Sequence, residues 1–175
     1  EGGLDGGVMV TASHNPANYN GMKLVGPQAR PISGENGLDA LRDLVLEGPL
    51  PEPGTTPAQV LPTSIHDRFL DFALARVEVG KLPPLKVLCD PGNGGAGILL
   101  ERLEGRLPIE MILRDAEPDG SFPRGVPNPL LPEKRLGTSQ AVVENRADLG
   151  VAWDGDFDRC FFYDESGRFI EGYYL

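Results

Sequence analysis

Alternating strand and helix signals over residues 85–170 predict an α/β fold with a mixed, mostly parallel sheet. Three observations carry that prediction. Apolar runs at Leu85 to Cys89, Ile109 to Leu113 and Leu149 to Trp153 read as strands. Helical patterns over about 97–106, and from Pro132 to about Arg146, separate them. Two further runs, Cys160 to Tyr163 and Arg168 to Ile170, flank Asp164-Glu165-Ser166-Gly167 and read as an antiparallel hairpin added to the sheet.

The chain upstream of this block is patterned differently. Val8-Met9-Val10 reads as a short buried strand, and Met22 to Val25 as another. Ser33 is placed to cap a helix over 34–47, with Leu38, Leu41, Leu44 and Val45 on one face and Gly48 as its stop. Pro49, Pro51, Pro53, Gly54, Pro57 and Pro62 then exclude regular structure and mark a linker. Ser64 opens a second helical pattern running to Val79, in which Ile65, Phe69, Phe72, Ala73 and Val77 recur at helical spacing. Gly80 is expected to end it.

The 175 residues suffice for one domain, or for one domain and part of another. Hydrophobic residues make up 40%, enough for a packed core. A net charge of −10 weighs against nucleic acid and anionic membranes as partners over most of the surface. An anionic ligand then needs local cations or a metal. Cys89 and Cys160 are expected to be buried free thiols, and no Cys or His cluster suggests zinc. No apolar stretch is long enough to span a bilayer and no signal peptide is seen, so a cytoplasmic setting is expected. The chain starts at Glu1-Gly2-Gly3 without an initiator methionine and stops at Tyr173-Tyr174-Leu175, so both ends are expected to be cut points of something longer.

Ligands of open α/β sheets sit beyond the carboxyl ends of strands. Three loops qualify, 11–16, 90–97 and 154–159. In the first, Ser13 follows a strand directly, His14 adjoins it and Lys23 lies ten residues on. A nucleophilic serine needs such a presenting turn and a group to handle its proton. The plain alternative is that Ser13 and Asn15 only build a turn.

In the third loop, Asp154-Gly155-Asp156-Phe157-Asp158-Arg159 carries three carboxylates in five residues. Their mutual repulsion calls for a compensating cation. Alternate spacing on an extended backbone points all three one way, towards a hard divalent ion such as Mg²⁺. The alternatives are an acidic solvated turn and a helix–loop–helix calcium loop. Arg159 at the position where the calcium loop needs glycine weighs against the latter.

In the second loop, Gly92-Asn93-Gly94-Gly95-Ala96-Gly97 matches the dinucleotide-binding pattern, with Asp115 lying 18 residues beyond Gly97. Asp90-Pro91 before the glycines would put a carboxylate against a pyrophosphate, so a tight strand-to-helix turn is the competing reading.

Thr11-Ala12-Ser13-His14-Asn15-Pro16 resembles the signature loop of the α-D-phosphohexomutases, and 154–159 resembles their metal loop. Asn20-Gly21-Met22-Lys23-Leu24, Pro127-Asn128-Pro129-Leu130-Leu131-Pro132 and Phe169-Ile170-Glu171-Gly172-Tyr173-Tyr174 resemble the family's bacterial phosphomannomutase branch. Phe157, standing where the wider family commonly has glycine, resembles that branch too.

The resemblance covers nearly the whole chain. It implies a three-layer αβα domain over 58–175, preceded over 1–57 by the C-terminal part of a similar domain, with the family's later domains absent. It also implies that Ser13 carries a phosphoryl group exchanged with a phosphorylated hexose through a hexose 1,6-bisphosphate, which acts as activator. Asp154, Asp156 and Asp158, with an oxygen on Ser13, are implied Mg²⁺ ligands, and Lys23 the general acid or base. Arg159 and His14 are implied contacts of the phosphoserine or organisers of its loop. No separate cofactor-binding residue is implied. A chain holding only these parts is expected to be an incomplete fragment, inactive alone; the alternatives are a non-catalytic Mg²⁺-binding α/β module and, more distantly, a dinucleotide-binding oxidoreductase domain.

Overall fold

The computed structural model describes residues 3–49, 52, 54 and 59–174. Half of the proline-rich linker expected over 49–62 therefore lies outside the described residues. The chain forms two compact units, one of Glu1–Thr11 with Asn20–Thr63, the other of Ala12–Tyr19 with Ser64–Leu175.

In the first unit, β1 (Gly7–Val10) pairs antiparallel with β2 (Met22–Val25), Val8 facing Leu24 and Met9 facing Lys23. Val8, Met9 and Val10 are exposed rather than buried. Two strands expose both faces, so β-branched residues there have strand propensity but little to pack against. The helix expected over 34–47 is broken. A 3-10 turn spans Gly34–Asn36, where the Ser33 amide donates to Asn36 Oδ1 at 2.6 Å. Gly37 then takes φ +133°, open only to glycine, and α1 runs Leu38–Glu47 to Gly48. The expected inner face of α1, Leu38, Leu41, Leu44 and Val45, is exposed by 41–60%.

The second unit is the three-layer domain. Its sheet has the order β4-β3-β5-β6-β7, with β3 (Lys86–Asp90), β4 (Glu110–Leu113) and β5 (Leu149–Trp153) parallel. The strands β6 (Cys160–Tyr163) and β7 (Phe169–Ile170) add antiparallel, as expected. The interior strand β3 is apolar on both faces because helices cover both. Val87 and Cys89 pack on Ala96 and Leu100 of α3 (Ala96–Leu103). Leu88 turns to the other face with Ala141 and Val142 of α4 (Leu136–Asn145), beside Ala152 and Tyr163.

Four local expectations fail. The helix α2 spans only His66–Leu74, because its end tightens into i→i−3 bonds at Arg76 and Val77. Ser64 does not cap it; its hydroxyl meets His66 Nδ1 at 3.1 Å instead. The buried face of α2 is Leu70 with half-buried Ala73 and Leu74, whereas Ile65, Phe69, Phe72 and Val77 are 45–61% exposed. Beside that face, Arg102 of α3 and Arg106 just beyond it reach Asp67 and Asp71 of α2 at 3.2 and 2.5 Å. Last, Cys89 is buried but Cys160 is exposed, because β6 turns Phe161 and Tyr163 inward and the alternate residues outward.

Two outcomes are expected. Cys160 will react with a thiol reagent in the native state. Cys89 will react only after unfolding, its thiol being pushed up to about 11 by burial and then by the Asp90 charge. Gly97→Ala would set a methyl 1.7 Å from the Ala116 carbonyl oxygen. It is expected to lower stability by about 1–3 kcal/mol, read as a lower urea midpoint at unchanged slope.

Candidate active site

The carboxylate loop is a closed turn between β5 and β6. Asp154 follows Trp153 at the end of β5 and is fully buried. Its carbonyl accepts from the Phe157 amide at 3.1 Å, and its Oδ1 accepts from the Arg159 amide at 3.2 Å. Phe157 takes φ +51°, in the left-handed region. The extended backbone expected here is thus replaced by a turn. The three carboxylates converge all the same: one oxygen each from Asp154, Asp156 and Asp158 lies within 4.8 Å of the others. Strands on both sides rule out the helix–loop–helix calcium loop. Three hard oxygen donors around one point fit Mg²⁺.

A buried carboxylate needs a counter-charge or several hydrogen bonds. Arg159 provides both. Its Nε donates to Asp154 Oδ2 at 2.9 Å and lies 3.3 Å from Asp158 Oδ1. Its terminal nitrogen reaches Asp154 Oδ2, His14 Nδ1 and, at 3.1 Å, Ser13 Oγ. A guanidinium only donates, so His14 Nδ1 is the acceptor in that contact.

Ser13 belongs to the same unit. It has φ +53°, an uncommon conformation for serine, and its hydroxyl donates to Asp154 Oδ2 at 3.2 Å. The turn expected from Ser13 and Asn15 is present, but backbone bonds build it, with Asn15 N donating to the Ala12 carbonyl at 3.0 Å. The Ser13 hydroxyl is left to face the carboxylates. Ser13, His14, Asp154, Asp158 and Arg159 therefore form one cluster, with Asp156 beside it. Lys23 lies in the first unit, on β2 opposite Met9.

The glycine loop spends its amides on the protein. Gly92 N donates to Asp90 Oδ1 at 3.1 Å, Asn93 N to the Asp115 carbonyl at 2.7 Å, and Gly94 N to the Pro91 carbonyl at 2.9 Å. Gly95 N donates to the Gly155 carbonyl at 3.0 Å. Asp115 accepts from Arg124 at 2.8 Å. The arrangement is that of a strand-to-helix turn and leaves none of these four amides for a pyrophosphate.

One buried network escaped the sequence reading. Asp90 Oδ2 accepts from Thr138 Oγ1 at 2.7 Å and from Arg114 at 2.9 Å. Burial raises the Asp90 carboxyl above its ordinary range, opposed by those two partners. The three residues line a cavity of about 260 Å³ with Arg124, Asn128 and Lys134. Thr138 lies mid-helix and Arg114 at a strand end, so no local motif joins them to Asp90.

The phosphoglucomutase/phosphomannomutase alpha/beta/alpha domain II matches residues 67–167, and the corresponding domain I matches residues 1–48. The chain is 55% identical to a protein of Xanthomonas campestris pv. campestris named for phosphohexose mutases, over 97% of this chain and 38% of that one. It is 49% identical to a phosphomannomutase of Salmonella typhimurium, over 99% of this chain and 39% of that one. The chain thus spans about two fifths of the length of these relatives. A crystal structure of a phosphoglucomutase/phosphomannomutase family protein from Burkholderia thailandensis superposes with a TM-score of 0.78 at 29% identity, covering 95% of this chain and 35% of that one. With two domain matches in order along the sequence and the same fold in a solved relative, the chain belongs to the phosphoglucomutase/phosphomannomutase family.

Proposed function

We propose that this chain is part of a phosphohexomutase of the phosphomannomutase type. It interconverts hexose 6-phosphate and hexose 1-phosphate through a phosphorylated Ser13 and a hexose 1,6-bisphosphate. The observation that supports this best is the meeting of Ser13 Oγ with Asp154 Oδ2 at 3.2 Å and Arg159 at 3.1 Å. A serine held in a left-handed turn against a buried carboxylate and a guanidinium is suited to carrying a phosphoryl group. The mannose assignment leans on the names of relatives such as that of Salmonella typhimurium.

Each half-reaction moves one phosphoryl group. A sugar hydroxyl oxygen bonds to phosphorus as the bond from phosphorus to Ser13 Oγ breaks, and the hydroxyl proton passes to a base, for which Lys23 is the candidate. The charge gathering on Ser13 Oγ is met by the Arg159 guanidinium. In the second half, Ser13 Oγ accepts the other phosphoryl group of the reoriented bisphosphate, and the freed sugar oxygen takes a proton back. Phosphoryl transfer is largely positioning and charge neutralisation, and these residues act on both. Asp154, Asp156 and Asp158, with an oxygen on the Ser13 phosphoryl group, would hold Mg²⁺, which when bound neutralises phosphoryl charge. His14, hydrogen-bonded to Arg159, holds the guanidinium against the serine. The bisphosphate phosphorylates a bare Ser13, hence its role as activator.

The protein isolated from its native host is expected to carry one phosphoryl group on Ser13 by tandem mass spectrometry; a serine found only unmodified, with activity intact, would refute the mechanism. Arg159→Lys keeps the charge but loses the fork. It is expected to lower kcat by about 10²–10³-fold in the full-length enzyme, the scale of losing one transition-state donor. The 175-residue chain assayed alone is expected to turn over at least ~100-fold more slowly than a full-length relative, because remote substrate contacts supply positioning.

A further inference from the structure

The glycine run 92–97 is not explained by a ligand, and two of its members are not explained by their backbone either. Gly95 has φ −66°, ψ −20°, a conformation open to every residue. Gly94 is likewise outside the left-handed region. What crowds a side chain at both is the carboxylate loop, joined at Gly94 by the Pro91 carbonyl oxygen at 3.0 Å. A Cβ on Gly94 would lie 2.8 Å from the Gly155 carbonyl oxygen and 3.2 Å from its Cα. A Cβ on Gly95 would lie 2.9 and 3.0 Å from two ring carbons of Phe157.

Gly155 is itself layered between two loops. Its carbonyl accepts the Gly95 amide at 3.0 Å. On its other side a Cβ would stand 2.4 Å from the Ser13 carbonyl oxygen. Three backbones are therefore stacked without intervening side chains: the 94–95 turn, the peptide at Gly155, and the Ser13 loop. Phe157, between two of the three carboxylates, holds φ +51° without being glycine. Its ring lies against the bare face of Gly95, which gives a residue in that unfavourable region its packing partner.

We propose that the Gly94-Gly95 turn is the seat on which the carboxylate loop is positioned, the bare face of Gly95 leaving room for the Phe157 ring so that Asp154, Asp156 and Asp158 stay in register with Ser13. Both glycines act through Gly155 and Phe157 and are positioning residues. This rests on the metal reading above for its consequence, but the pairing itself is a packing statement about the chain.

The test is a double-mutant cycle in the 175-residue chain: the parent, Gly95→Val, Phe157→Gly and the double variant. Each is titrated with Mn²⁺ alone, followed by electron paramagnetic resonance, and unfolded in urea with EDTA present. Gly95→Val is expected to weaken Mn²⁺ binding by about 10–100-fold, as loss of an outer support does at metal sites. Phe157→Gly should stay within about threefold of the parent, and the double variant within about threefold of Phe157→Gly, the valine filling the emptied seat. Parent-like Mn²⁺ affinity in Gly95→Val, even with a lowered urea midpoint, overturns the positioning role. So does a double variant as weak as Gly95→Val. If the parent itself binds no Mn²⁺, the metal reading fails, and the urea midpoints decide the pairing. Recovery in the double variant supports it, and additive losses overturn it.

Discussion

A single buried carboxylate, Asp154, organises the site. It has no exposed surface, so it is tolerated only because Arg159 and Ser13 meet it directly. An unpaired charge at that depth would cost several kcal/mol, on the order of the desolvation penalty for one ion in a protein interior. Arg159 is drawn to the carboxylate and carries three further contacts with it, to Asp158, Ser13 and His14. One electrostatic requirement at the end of β5 thereby gathers residues from sequence positions 13 to 159. The parallel core strands place that requirement where an α/β sheet binds ligands, beyond the strand carboxyl ends.

The surroundings of the carboxylate loop are shaped by what they lack. Gly155 accepts from Gly95 on one side and leaves space for the Ser13 carbonyl on the other. Close backbone packing of this kind substitutes fixed peptide dipoles for mobile side chains, which suits the positioning role proposed for this loop. The Asp90, Thr138 and Arg114 network does similar work one strand away, holding the start of the glycine loop to α4 and β4.

Much of this was readable before any coordinates. The strands at 149–153 and 160–163 have the predicted limits, because continuous apolar runs bounded by loop residues leave few other readings. The convergence of the aspartate trio was readable too, since three carboxylates in five residues of one turn cannot lie far apart. Local rules misjudged α2: its periodic Phe69 and Phe72 face outward while Leu70 faces in. Periodicity shows that a helix has an apolar stripe, but only the packed neighbour decides which stripe is covered. Cys160 was misjudged for the same reason, since either face of β6 is apolar in sequence.

The sequence by itself determined the alternation of elements, the oxygen-rich chemistry of residues 154–158 and the presence of a serine in a turn at residue 13, because each depends on residues within a few positions of one another. Only the tertiary structure decided that Ser13 and Arg159 share one carboxylate with His14 against the guanidinium, that the Phe157 ring lies against Gly95, and that Asp90 is buried against Thr138 and Arg114. Those contacts join positions tens of residues apart. They are set by strand register and helix packing, which no local pattern encodes.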